Sequence, residues 1–470
     1  MRVVHPGEGY AAADPVILSI GNGAAATLEV VPNESSPSAT ARFQQRRIYA
    51  GTKVRPVTVF ASQIGSPTEF YAPAIPAPAD AFEFEIDSPE LNTIKFLVRL
   101  PYGLLAFTSE NIWRLSARQG FAPGLVNSEP LNFEGSLDID PLHIKGSVLY
   151  VEEASQSIRT VHQGQNEGTY QSENGSQLSN HLFSEDNPVV SWTYAKSPHG
   201  LVWIVLEDGS MLSYTYAPEE GVNAVSKHST AGKFKDVEVI REGVTDVVYL
   251  AVERTIDGNT VTFLESFVKR NVDSVRDIWG VDAGISAPTH EIQGKHYVSA
   301  VHLAGESVEL LADGNVDANA TVTVAADGAV RVSRQADKAT VGLPFEGFVE
   351  TLPPRTVEDP RGKAYIGMAR PATIHAVILE VIKSRGISVS TGQGRTEPYV
   401  VAPRTDEAYG ESVRFADEYL EQAVEPPAPL DPVGVRIYKR GPLQVTLTAV
   451  SMVLGDDVVA AHPLPVRHGR

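Results

Sequence analysis

The chain has 470 residues, 42% of them hydrophobic and 21% charged, ordinary globular usage that excludes a disordered chain or a fibre; at ~150 residues per domain it makes two or three domains. Its 39 basic and 58 acidic residues leave a net charge of −19, which repels phosphate backbones and argues against adhesive nucleic-acid binding. With no cysteine there are no disulfides, thiolate zinc sites or thiol nucleophiles, a composition that suits assembly in a reducing cytoplasm.

The first residues, MRVVHPGEGYAAADP, place Pro6, Gly7 and Gly9 where a signal peptide needs an uninterrupted apolar run. No segment reaches the ~20 apolar residues of a membrane span, since PVILSI at 15–20 stops at Gly21. In VILSIGNGAAATLEV, Gly21, Gly23 and Ala26 mimic a dinucleotide fingerprint. The following TLEVVP is β-branched and ends at Pro32, so the spacing predicts a Gly-rich β-turn, without the helix a pyrophosphate needs. VVPNESSPS at 30–38 reads as an extended link. Beyond it, Arg42, Arg46, Arg47, Lys53 and Arg55 alternate with Phe43, Tyr49 and Phe60. Such a pattern suits a nucleic-acid groove, but on this acidic chain it predicts a salt-bridged or partner-binding strand face. YAPAIPAPAD at 71–80 lies in a long loop, and loops 63–82 and 162–178 are expected to project from the strands.

The middle of the chain reads as strands and tight turns. LVWIVLEDGSMLSYTY at 201–216 sets Asp208 and Gly209 between two β-rich runs, and DVVYLAVERTIDGNTVTFLESF at 246–267 does the same with Asp257 and Gly258. Asp-Gly pairs follow at Asp313–Gly314 and Asp327–Gly328. Each is a hairpin signature, because a type I′ turn needs φ > 0 at both central residues. From Asp208 to Asp257 is 49 residues and from Asp257 to Asp313 is 56, near the ~40 to 50 residues of a four-stranded propeller blade. The fold class expected is mainly β: an irregular β-propeller over 41–351, with a smaller β-rich domain formed by the amino-terminal segment 1–40 and the carboxy-terminal region 352–470. In that last region ATIHAVILEVI resumes a strand pattern, EPPAPLDP at 425–432 separates the final strand pair, and SVRFADEYLEQAV at 412–424 predicts a helix with Ala416, Tyr419, Leu420 and Ala423 on one face.

Motifs that carry chemistry fail on their details. In DGNVDAN, Asp313, Asn315 and Asp317 alternate like calcium ligands, but Ala318 replaces the turn glycine and Val324 stands where a bidentate Glu belongs. His290, His296 and His302 lie six apart without HExxH, a spacing that forms no close ligand set on one helix or strand. Glu152 with Glu153 and Asp138 with Asp140 are carboxylate pairs of the kind a glycosidase uses, on a chain where chance makes many such pairs. No GxSxG or GxxxxGK[ST] occurs. No catalytic, cofactor-binding or metal-binding residue is assigned, and the chain is not read as an enzyme.

ARFQQRRIYAGTKVRPVTVFAS at 41–62, FLVRLPYGLLAFTSENIWRL at 96–115, SVLYVEEASQSIRTV at 147–161, SNHLFSED at 179–186 and WTYAKSPHGLVWIVLEDGSMLSYTY at 192–216 resemble, in this order, segments of the tail nozzle proteins of short-tailed bacteriophages, the tail tubular protein B family. The resemblance continues through KHSTAGKFKDVEVI at 227–240, the 246–267 hairpin, VHLAGESVELLADG at 301–314, VGLPFEGFVETLPP at 341–354, IHAVILEVIKSRGISV at 374–389 and RGPLQVTLTAVSMVL at 440–454. It implies a virion structural protein, assembled in the bacterial host cytoplasm, in which a homo-hexamer rings the DNA ejection channel below the portal and contacts a tail adaptor and tail fibres or spikes. Genomic DNA would pass without specific binding, along acidic walls that repel it. Family members carry a substantial region before the RRIYAG-like segment; residues 1–40 here resemble its tail. The competing expectation is a phage receptor- or carbohydrate-binding propeller, with or without depolymerase activity, with aromatics and paired carboxylates in a concave site.

Overall fold

In the computed structural model the described residues are 15–20, 24–29, 36–88, 92–117, 120–164, 166, 168–268, 272–317, 321–352, 356–358, 364–366, 373–391, 398–401, 419–429 and 434–454. The protein is mainly β: small antiparallel sheets joined by turns, with only short 3-10 turns among the described residues as helical structure. None of these helices is long and apolar enough to cross a membrane. The chain divides into two compact units, 1–194 with 216–225, and 195–215 with 226–470.

The first unit opens on a hairpin, Pro15–Ile20 against Ala24–Glu29. The Gly-rich stretch is thus flanked by paired strands and no helix follows it; Gly21 and Gly23 themselves lie outside the described residues. Three consecutive four-stranded meanders follow. The first comprises Ala39–Phe43, Arg46–Ala50, Thr58–Ala61 and Phe82–Glu85; the second Ile94–Leu100, Gly103–Thr108, Ile112–Ser116 and Asn127–Asn132; the third Leu142–Ile144, Ser147–Val151, Ile158–Gln163 and Tyr170–Asn174. Each strand pairs with its sequence neighbours, the repeating unit of a propeller.

Packing explains the sequence pattern of the second meander. Leu104, Ala106, Trp113 and Leu115 join a core with Ile48, Val59 and Phe82 of the first meander. Leu105, Phe107 and Ile112 join another with Val148, Tyr150 and Val161 of the third. Alternate residues of one strand therefore enter different cores, as a period of two requires. GLLAFT is buried at all six positions, which is why it reads as an unbroken apolar run; a sheet covered on both faces has no solvent side. SVLYV and, in the second unit, LVWIVL are likewise buried throughout.

In the second unit Leu201–Leu206 pairs with the following strand from Leu201↔Thr215 to Val205↔Met211. Lys233–Glu242, Thr245–Ile256 and Asn259–Ser266 form a three-stranded sheet whose Val237, Val248, Leu250 and Val252 pack with Trp203 and Val205. Strands between Asp282 and Leu343 build two further sheets around Val298, Leu310, Val330 and Val341. At the carboxy-terminal end, the sheet of Phe348–Glu350, Arg436–Lys439, Ile387–Ser390 and Tyr399–Val401 shares a core with that of Tyr419–Pro429, Thr373–Val381 and Leu447–Leu454.

Two expectations for that region change. Tyr419, Leu420 and Ala423 stand in a strand, paired through Leu379↔Leu420 and Ala376↔Ala423, where a helix was expected; Ala416 lies outside the described residues. Burial of Leu420 and Val424 against the neighbouring strand outweighs a weak local helix preference. Pro426, Pro427 and Pro429 belong to this same strand and do not separate two strands; it is an edge strand, where a missing N–H is tolerated.

The turns resolve into two kinds. Asp257 and Gly258 have φ of 46° and 76°, and Asp313 and Gly314 have 48° and 77°. These are two-residue turns of the expected sort, closing Ile256↔Asn259 and Ala312↔Asn315. At Asp208–Gly209 and Asp327–Gly328 only the glycines have positive φ. Leu206 N–H donates to Ser210 O, and Ala325 N–H donates to Ala329 O, so each turn is one residue longer, with glycine at the bulge position.

Candidate functional site

The basic cluster after residue 41 is structural. Arg46 is 1% exposed and donates to the carbonyls of Ser62, Asp80 and Pro78 at 2.6, 2.7 and 2.5 Å, with its guanidinium over the Phe82 ring. Arg55 grips Glu83 through two bonds of 2.8 and 3.0 Å, and Arg47 lies over Tyr49. This is the salt-bridged strand face expected of these residues; Arg42 and Lys53 are exposed. Arg46 also anchors the base of the 63–82 loop, which projects Tyr71 and Ile75 into solvent. The 162–178 segment is not a projecting loop: most of it is the Ile158–Gln163 and Tyr170–Asn174 strands and a 3-10 turn.

The other sequence candidates are dispersed. Glu152 accepts from Ser157 and Arg159, whereas Glu153 pairs with Lys95 at 2.7 Å. The Asp140 carbonyl accepts from the Trp192 indole at 2.8 Å. Asp313 accepts the amides of Asp337 and Lys338, and buried Asp317 accepts that of Ser333. His296 lies by Thr289 and His302 by the Ala283 carbonyl, so the three histidines are not brought together. Among the described residues no three His, Cys, Asp or Glu side chains are grouped to hold a metal.

A site absent from the sequence reading lies in the second unit. In Thr245–Ile256 the buried face runs Val248, Leu250, Val252, Arg254, so an arginine falls on the apolar phase of the strand. Leu250 faces Glu265, Val252 faces Phe263, and Phe267 continues the same alternation one step past the strand. The Arg254 side chain is fully buried and forked between two carboxylates. Its Nε and Nη2 donate to Glu265 at 2.6 and 2.8 Å; Nη1 and Nη2 donate to Asp282 at 2.9 and 2.8 Å; Nη1 also reaches the Ala231 carbonyl at 3.0 Å. Asp282 further accepts from the Thr230 hydroxyl and the Ala231 and Ala283 amides.

Burial works against charge on both partners, but the mutual hydrogen bonds and attraction overcome it: the Arg254 pKa is raised and that of Asp282 lowered. Asp282 therefore stays ionised at neutral pH. Glu265 and Asp282, two carboxylates against the one guanidinium, help line a cavity of about 570 Å³, walled by half-buried Phe263, Phe267, Trp279 and Phe345 and by His302. Behind Phe345, the Lys439 ammonium sits 3.8 Å from the ring centroid and donates to the carbonyls of Gly280 and Gly441. Burial lowers its pKa to about 8, against the raising effect of Glu309. Glu309 is itself pushed up by burial, and its Oε2 is buried without a hydrogen-bond partner.

The first unit holds a second cavity, of about 730 Å³, at Gln44, Tyr102, Arg114, Asn127 and Glu129. Its one guanidinium lies over Tyr170 and 3.8 Å from Glu129, which also accepts from the Asn127 amide; Phe43 and Tyr102 are its aromatic lining.

No protein-family model and no curated protein matches the chain. A solved structure described as a glycoside hydrolase aligns over 76% of this chain and 96% of its own, at 7% identity and a TM-score of 0.20, a likeness that carries no argument about fold or activity.

Proposed function

We propose that this protein is a structural component of a short-tailed bacteriophage tail, a nozzle subunit whose copies close into a hexameric ring around the DNA ejection channel. One observation carries the reading: the most distinctive residues of the segments that resemble that family serve architecture. In RRIYAG, Arg46 ties three carbonyls beneath a loop. Gly51, at φ 71°, lies where a Cβ would come within 2.0 Å of the Ile94 carbonyl oxygen. FLVRLPYGLLAFTSENIWRL supplies the strands that enter two cores. Residues of this kind hold shape, and shape is what a heterologous, ring-closing interface depends on.

The test is negative-stain electron microscopy of the purified full chain at high concentration, alone and mixed with the tail adaptor protein. Six-fold rings with a central hole are expected. Lobed monomers that persist under both conditions overturn the proposal.

A further inference from the structure

We propose that the aromatic cavity of the second unit binds a neutral saccharide, through stacking on its rings and hydroxyl donation to Glu265. The proposal is independent of ring assembly: a chain that remains monomeric would leave it standing.

Charge narrows the ligand class. Glu265 and Asp282 outnumber Arg254 and repel an anion, and every donor of the guanidinium is already spent on oxygen acceptors. For a cation, the ring of Phe345 is already engaged by the Lys439 ammonium, 3.8 Å from its centroid. A polyhydroxylated ring without charge avoids both penalties. Its C–H face covers aromatic surface, and its hydroxyls are donors, which is what bound carboxylates lack. Each Glu265 oxygen accepts one bond from Arg254 and keeps a further acceptor direction, since an ionised carboxylate offers about four in all.

Preorganisation adds to the match. The fork with Arg254 fixes the Glu265 carboxylate, so binding a hydroxyl there orders no flexible side chain. Its side chain remains 22% exposed, against none for Arg254, so it is Glu265 that presents itself to the cavity. A volume of about 570 Å³ falls within the ~300–1,000 Å³ typical of small-molecule sites. No bond-breaking step is proposed.

The probe set is maltose, cellobiose and N,N′-diacetylchitobiose, with tetramethylammonium and glucuronate as charged counterparts. Binding to the full-length chain is followed by saturation-transfer NMR and by quenching of tryptophan fluorescence. At least one neutral disaccharide should bind and both charged probes should not. Trp279→Leu should weaken that binding about tenfold or more, as loss of a central aromatic anchor does, with Phe263→Leu giving the same result where the tryptophan variant fails to fold. Phe133→Ser, at an exposed position of the first unit, should leave it unchanged. Failure of all three disaccharides to bind the folded chain, binding indifferent to both cavity variants, or preference for either charged probe overturns the proposal.

Discussion

Arg254 has no water to fall back on, so its partners decide its cost. Removing one member of a buried ion pair strands the others, at about 3–5 kcal/mol. Arg254→Met should therefore destabilise the second unit by that amount in urea melts. Combining it with Glu265→Gln and Asp282→Asn should recover much of the loss, because no unpaired charge then remains. The sign of the pH response follows from the lowered pKa of Asp282: the stabilisation is present above the unfolded-state value and is lost as pH falls through the folded-state value. Asp282→Asn should accordingly flatten acid unfolding at its low-pH end. Lys439 has the opposite linkage. Its folded pKa of about 8 lies below the ordinary 10.5, so the unfolded chain binds more protons between those values and stability rises with pH across that window. The gain attributable to this one group is roughly 3 kcal/mol. Melts of the wild type and of Lys439→Met between pH 7.5 and 10.5 should differ by this slope; parallel curves would show that Lys439 is not held against its charge. At Gly51 the restraint is steric, and Gly51→Ala should cost roughly 2–3 kcal/mol through a left-handed backbone and a collision with main chain.

At the scale of elements, the distinguishing feature is a strand with two buried faces. Leu104 and Leu105 are adjacent, both fully buried, and belong to different cores. Each Leu→Ala change should cost about 2–5 kcal/mol, whereas in a sheet with one wet face only every second residue would be so sensitive. Near-additivity of the pair, read from the double variant, checks that the two cores are separate. Of the runs buried throughout, LVWIVL was legible as a strand through the turn that follows it, whereas GLLAFT and SVLYV carry no such local turn signal. The Asp-Gly hairpins were legible because their turn chemistry is local, although Asp208 and Asp327 show that the dipeptide alone does not fix loop length. Tyr419–Pro429 was not legible, since what makes it a strand is its partner Thr373–Val381, some forty residues earlier. The cavity was hidden for the same reason: Arg254, Glu265 and Asp282 meet only across strands and a loop. Its one local signal was an arginine on the apolar phase of VVYLAVERT, where a charge must find buried partners.

For the whole molecule, the net charge of −19 sets opposite salt dependences for the two associations at issue. A chain that adhered to DNA through released counterions would lose affinity as salt rises, from non-specific values of about 10⁻⁴–10⁻⁶ M at physiological ionic strength. Here the long-range term repels duplex, so anisotropy titrations with a labelled DNA fragment should show no saturable binding at 0.15 M salt; a micromolar isotherm with a steep negative salt slope would contradict a non-adhesive conduit. Copies of the chain repel one another for the same reason. Closure of the proposed ring would have to overcome that repulsion through apolar and hydrogen-bonded contact, and screening relieves it once the Debye length falls from ~30 Å at 0.01 M to ~8 Å at 0.15 M. Sedimentation velocity at fixed protein concentration should therefore show the proposed oligomer gaining population as salt rises over that range. Dissociation by salt would instead mean that ion pairs across the interface dominate, and would move the search for the ring contacts to exposed charged strands such as Lys233–Glu242.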